Sequence, residues 1–113
     1  MECRDMCAVG FTTPGGRHGR RAIVIGHITV RDQDKWADYR ARVPATIAPW
    51  NGELVFRGRR AAVLGGTHAH DEVVVLRFPD PASADAWFRS PAYQALIPLR
   101  REAADVDLIS YAG

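Results

Sequence analysis

A chain of 113 residues has the length of one domain, and 47% hydrophobic with 25% charged residues is an ordinary globular composition. A formal net charge of +2 is too small to argue for nucleic acid, and no apolar run approaches the roughly 18 residues of a membrane span, so neither partner is expected. Cys3 and Cys7 make no disulfide framework, and a cytoplasmic location is the default expectation.

Residues 1–20 are rich in Gly, Thr, Pro and Arg without periodicity and are expected to form a disordered extension, leaving residues 21–113 as the folded domain. Arg20-Arg21 before an apolar run has the outline of an export signal, but the run is short, His27 interrupts it, and it continues as a strand. Residues 22–30 are β-branched and predict the first strand. Asp32 is placed to cap a helix, with Asp34 in its first turn, and Trp36, Tyr39, Val43, Ile47 and Trp50 recur at helical spacing. Pro44 removes one backbone bond and presses on the carbonyl of Arg40, which predicts a kink; Pro49 and Asn51-Gly52 end the helix.

Residues 53–57 and 61–64 are short strand candidates around Gly58, either a tight hairpin or one bulged strand. A loop over 65–71 leads to the strongest strand, residues 72–78. Asp80 then caps a second helix with Pro81 at its first position. Ser90-Pro91 repeats that pattern and predicts a break and restart, with Pro98 a further disturbance before a last strand over 106–111.

The order β-α-β(β)-β-α-β is met most economically by an α+β, ferredoxin-like βαββαβ sheet with both helices on one face. Strand alternation puts Val24, Gly26, Ile28, Val74, Leu76, Phe78, Val106 and Leu108 beneath the helices. The opposite set holds Ile23, Ile25, Val73, Val75 and Ile109 together with His27, Arg77, Asp107 and Tyr111, and Arg57 is expected to join it. An apolar face of that size predicts a partner, and a homodimer of two facing sheets around a partly charged cavity is the expectation.

Several stretches carry a resemblance: residues 25–32, Tyr39 and Pro44, residues 55–58, residues 73–79, Ala86-Trp87-Phe88, Ser90-Pro91 with Tyr93, and Arg100. Together they resemble the bacterial family called domain of unknown function 1330, within the dimeric α/β-barrel superfamily, over about residues 22–112. Trp50-Asn51-Gly52 and Arg59 depart from glycines usual in that family, at the rim of the expected pocket. The resemblance implies a dimeric α/β barrel and no particular reaction. Superfamily relatives include cofactor-free monooxygenases, isomerases, haem-degrading enzymes and regulatory ligand-binding domains, among which fold does not choose.

The expected ligand is therefore a small organic molecule, anionic or enolisable, held between sheet and helices. If the chain is an enzyme, it is expected to work without a cofactor, by proton transfer. His27 is the candidate acid or base, and Arg57 or Arg77 would stabilise developing negative charge. Tyr39, Trp50, Arg77, Arg100 and Tyr111 are the candidate ligand-binding residues. Each has a plainer reading as a structural hydrogen bond, a core aromatic or a salt bridge, Asp107 being a candidate partner for either arginine. The alternatives are a non-catalytic ligand-binding or accessory homodimer, and a haem-handling or cofactor-free monooxygenase. His68, His70 and Asp71 form a His-x-His-Asp cluster that reads as an exposed polar turn for want of a further ligand, and Cys3, Cys7 and His18 form a weaker one.

Overall fold

The computed structural model describes residues 21–113. The expectations for the extension over 1–20, and for Cys3, Cys7 and His18, lie outside the described residues. The chain runs β1 (Ala22–Val30), α1 (Gln33–Ile47), a 3-10 turn (Ala48–Trp50), β2 (Glu53–Arg59), β3 (Glu72–Phe78), α2 (Pro81–Arg89), α3 (Pro91–Gln94), α4 (Ile97–Ala103) and β4 (Ala104–Ala112). The strands form one antiparallel sheet in the order β2-β3-β1-β4, the ferredoxin-like arrangement expected.

Local chemistry sets the helix ends. The Asp32 carboxylate accepts the backbone N–H of Lys35 at 3.0 Å and starts α1. α1 runs unbroken through Pro44, because Ala48 N–H still reaches the Pro44 carbonyl and Thr46 Oγ1 donates to the Val43 carbonyl. Asn51 then takes a left-handed conformation at φ 58° and turns the chain into β2. Gly52 is needed for closeness: a Cβ there would lie 2.6 Å from the buried Phe78 ring. Asp80 accepts from Ser83 N–H at 2.7 Å, which holds its carboxyl below the usual carboxylate range.

Ser90 joins two helices with one hydroxyl. Its Oγ donates to the Trp87 carbonyl at 2.7 Å, closing α2, and accepts the Tyr93 N–H at 3.3 Å, opening α3. Pro91 and Pro98 each stand in the first turn of the segment they begin, where their missing N–H costs nothing. Ser90→Ala is expected to lower stability by about 1 kcal/mol, read as a fall in urea midpoint at unchanged slope.

Alternation along the strands sorts the core as the sequence pattern indicates. Ala22, Val24 and Ile28 with Leu76 and Phe78 are buried beneath the helices, against Trp36, Tyr39, Ile47, Trp87 and Tyr93. Ile23, Ile25 and His27 point the other way and stand opposite Arg77, Val75 and Val73 on β3 and Tyr111, Ile109 and Asp107 on β4.

Three expectations are corrected in the β2 region. Residues 61–64 are no strand; the whole segment 60–71 is an irregular connection, with Leu64 99% exposed. The bulge lies between Leu54 and Phe56 and not at Gly58: Leu54 pairs with Leu76, Phe56 with Val75 and Arg57 with Val74. Val55 is thus the extra residue, and one added residue inverts the facing of the rest of the strand. Arg57 lies on the helix side, not with His27; Phe56 takes the helix-free face, its ring over Gly58, where an added Cβ would be 2.7 Å from it.

Candidate functional site

A cavity of ≈ 60 Å³ opens between α1 and the sheet. Room of that size holds a few waters or one small organic group. The helical period brings Trp36, Arg40, Val43 and Ile47 to the inner side of α1, and Pro44 adds its ring. Ile28, Leu54, Val74, Leu76, Val106 and Leu108 form the sheet side, with Trp87 at the back. The lining among the described residues includes no carboxylate and no imidazole.

Its polar groups are donors. Trp36 is 4% exposed and lines the cavity, yet its indole Nε1–H is buried without a hydrogen-bond partner. An orphaned buried donor costs about 1–3 kcal/mol, so it marks a place where an acceptor is missing. Arg57 and Arg40 line the same cavity, and neither makes a side-chain ion pair among the described residues. Partial burial, then the positive charge of Arg40, push the Arg57 guanidinium below its ordinary value, against weaker support from Glu72 and Tyr39. A guanidinium stays charged under such a shift.

Tyr39 closes the cavity from α1 but spends its hydroxyl internally. Its Oη lies 2.8 Å from that of Tyr93, which accepts from Arg100 Nη1 at 2.9 Å. Burial, followed by the neighbouring Tyr93, drives the Tyr39 hydroxyl far above the usual tyrosine range, so it is a neutral group and no base at physiological pH. Arg100 is half-buried and braces this tyrosine pair. Trp50 packs against the core from the 3-10 turn and stands outside the cavity lining.

The remaining sequence candidates lie on the helix-free face. His27 is half-buried beside Asp107 and Val73, and the sheet separates it from Arg57. The expected cooperation of His27 with Arg57 is accordingly not assembled within one protomer. Arg77 does share the face with His27, but its guanidinium pairs with Glu53 on β2. Asp107 takes His70 as its partner and neither arginine. Tyr111, opposite Ile23, is exposed.

Sequence reasoning passed over Arg40, the Trp36 N–H and the course of the connection 60–71. Arg40 was within reach, since it comes four residues after Trp36 and so shares its side of the helix. The connection left no such signal. It folds back so that His70 Nδ1 lies 2.9 Å from Thr29 Oγ1 and Nε2 lies 3.0 Å from Asp107 Oδ2, while His68 meets His27 edge to face at 4.9 Å.

Known structures share this architecture. The chain is similar to RPA0582, a protein of unknown function from Rhodopseudomonas palustris, with a TM-score of 0.70 and 19% identity over 83% of this chain and 82% of that one. It is similar to SnoaB, a cofactor-independent oxygenase from Streptomyces nogalater, with a TM-score of 0.59 and 14% identity over 82% and 92%. A dimeric ferredoxin-like protein of unknown function from Thermobifida fusca aligns with a TM-score of 0.57 and 16% identity over 85% and 93%. Identities this low show a common fold and nothing finer. No curated protein matches the chain. A family description does match, over residues 21–113 and so over nearly the whole length: the chain belongs to the family Domain of unknown function, DUF1330.

Proposed function

We propose that this protein is a homodimer that binds a small organic anion in the cavity between α1 and the sheet, and that the cavity is built for binding and not for proton transfer. The observation that carries the reading is the lining's polar complement: Trp36, whose buried Nε1–H has no partner, and Arg40 and Arg57, which make no ion pair among the described residues, set among apolar side chains. A carboxylate or enolate would supply the acceptor that such donors take, and an apolar body would fill the rest. The one titratable hydroxyl in the lining, that of Tyr39, is held neutral, and His27 stands on the opposite face. The homodimer is supported by the half-exposed Ile25, Val73 and Val75 and the exposed Phe56 and Ile109 of the helix-free face, a surface that monomers seldom present to water. The Thermobifida fusca protein of the same fold is described as dimeric.

Thermal-shift measurements against compact carboxylates, phenols and haem test the ligand class, since a ligand of the native state raises the melting temperature by mass action. A carboxylate such as benzoate is expected to raise Tm where its neutral amide does not. Arg57→Gln is expected to weaken the carboxylate by about 10- to 100-fold, the worth of a charge-assisted hydrogen bond of roughly 1.5–3 kcal/mol. Equal shifts from acid and amide, or an unchanged affinity in Arg57→Gln, would remove the arginines from the site. The oxygenase reading has the fold likeness to SnoaB behind it, and it needs a base that this cavity's lining does not supply.

A further inference from the structure

Three of the chain's four histidines meet on the helix-free face, away from the proposed anion cavity. His27 comes from β1, and His68 and His70 come from the connection 60–71. The ring centres of His27 and His68 are 4.9 Å apart and those of His68 and His70 are 5.8 Å apart. Two imidazoles on one tetrahedral zinc, at Zn–N distances of about 2.0–2.1 Å, have centres roughly 5 Å apart. Among the described residues, the rings of His27 and His68 make no hydrogen bond, so their nitrogens are unspent.

His70 is already oriented. Its Nε2 is 3.0 Å from Asp107 Oδ2, so the carboxylate accepts Nε2–H and leaves the Nδ1 lone pair as a ligand. That lone pair now takes the Thr29 hydroxyl at 2.9 Å, a rotor that can turn away. A carboxylate behind a ligating imidazole is the usual support of such a centre. The local charge suits a cation: Asp107 is at the site, and Asp71, next to His70, keeps its Oδ1 buried and unpartnered. Arg60 is the nearby cation, and its guanidinium is occupied with the backbone carbonyls of His68 and His70, which ties the connection down. In the single protomer a hollow of ≈ 470 Å³ is bordered by the three histidines, Asp107 and Ile109, on the same helix-free face that the proposed homodimer would pair.

We propose that His27, His68 and His70 form a binding site for a divalent ion of the zinc class, with Asp107 as the positioning residue behind His70. Imidazole ligands select Zn²⁺, Cu²⁺ or Ni²⁺ over the oxygen-seeking Mg²⁺ and Ca²⁺. Among the described residues no group of three His, Cys, Asp or Glu side chains is arranged to hold a metal ion as it stands, so the proposed site requires the rings to turn. His68, exposed on an irregular segment, is free to do so. The bound ion would fasten the connection 60–71 to β1. This site is independent of the anion cavity, from which it lies across the sheet.

The test uses the full chain carrying Cys3→Ser, Cys7→Ser and His18→Gln, which removes the thiol and imidazole ligands outside the described residues. Calorimetric titration with ZnCl₂ is expected to show one ion per protomer, and CoCl₂ to give the intense visible absorption of a low-coordinate centre. His27→Gln and His68→Gln should each weaken Zn²⁺ at least about tenfold, Asp107→Asn about 10- to 100-fold, and Arg57→Gln not at all. In the unsubstituted chain, Zn²⁺ should protect His68 from acylation by diethyl pyrocarbonate, a reading that needs no variant to fold. Loss of protection, undiminished Zn²⁺ binding by the triple His27→Gln, His68→Gln, His70→Gln chain, or weak binding at many sites (an adventitious ion only) would each overturn the proposal.

Discussion

Trp87→Ala is expected to cost about 3–5 kcal/mol of folding stability, the usual loss when a large aromatic leaves a packed core. Trp87 is 2% exposed and sits where both layers meet. Its ring centre is 4.4 Å from that of Tyr93 and 5.3 Å from that of Phe78, and its Nε1–H donates to Thr46 Oγ1 at 3.0 Å. The substitution therefore leaves a cavity and also strips Thr46 of a buried partner. Net stability of a domain is only about 5–15 kcal/mol, so a large share of the protein should be unfolded at physiological temperature. Urea denaturation followed by far-UV circular dichroism measures it, with Trp87→Phe as the milder comparison that keeps most of the ring. A loss below about 1 kcal/mol for the alanine variant would mean that the helices are not held to the sheet through this residue.

Ile25→Asp is expected to dissociate the proposed homodimer while leaving each protomer folded. Ile25 lies at the middle of the helix-free face, between Val75 on β3 and Ile109 on β4, and away from the helix-side core. Two-fold symmetry delivers the new carboxylate to the interface twice, and burying an unpaired charge costs several kcal/mol even after relaxation. At about 4 kcal/mol the dissociation constant rises roughly a thousandfold. Sedimentation equilibrium across a concentration series reads the change, with circular dichroism to show that the sheet survives. A parent chain that sediments as a monomer, or a variant whose self-association is unaltered, would refute the face-to-face dimer.

The two substitutions probe opposite faces of one sheet, and that division was legible in the order of residues. β1 alternates between buried and half-buried residues along most of its length and β3 does so at its end, and a period of two leaves only one way to put Val24, Ile28, Leu76 and Phe78 inside together. The stops and starts were equally plain. Asp32, Asp80 and Ser90 cap, and Pro81 and Pro91 begin helices, through chemistry that acts within three or four residues. Arg57 shows where such reasoning ends. Its facing depends on the Val55 bulge, and a bulge depends on the strand that it pairs with, which lies far along the chain.

The sequence by itself determined most of the elements, the capped helix starts, the buried side of three strands and the existence of an unpartnered apolar face, because local propensity and periodicity dictate these. Tertiary structure alone decided which polar residues meet. It parted His27 from Arg57 across the sheet, joined Arg40, Arg57 and Trp36 around one cavity, and brought His68 and His70 back over β1. Those meetings turn on one inserted residue and on the course of a connection without period, and neither leaves a regular mark in the order of the amino acids.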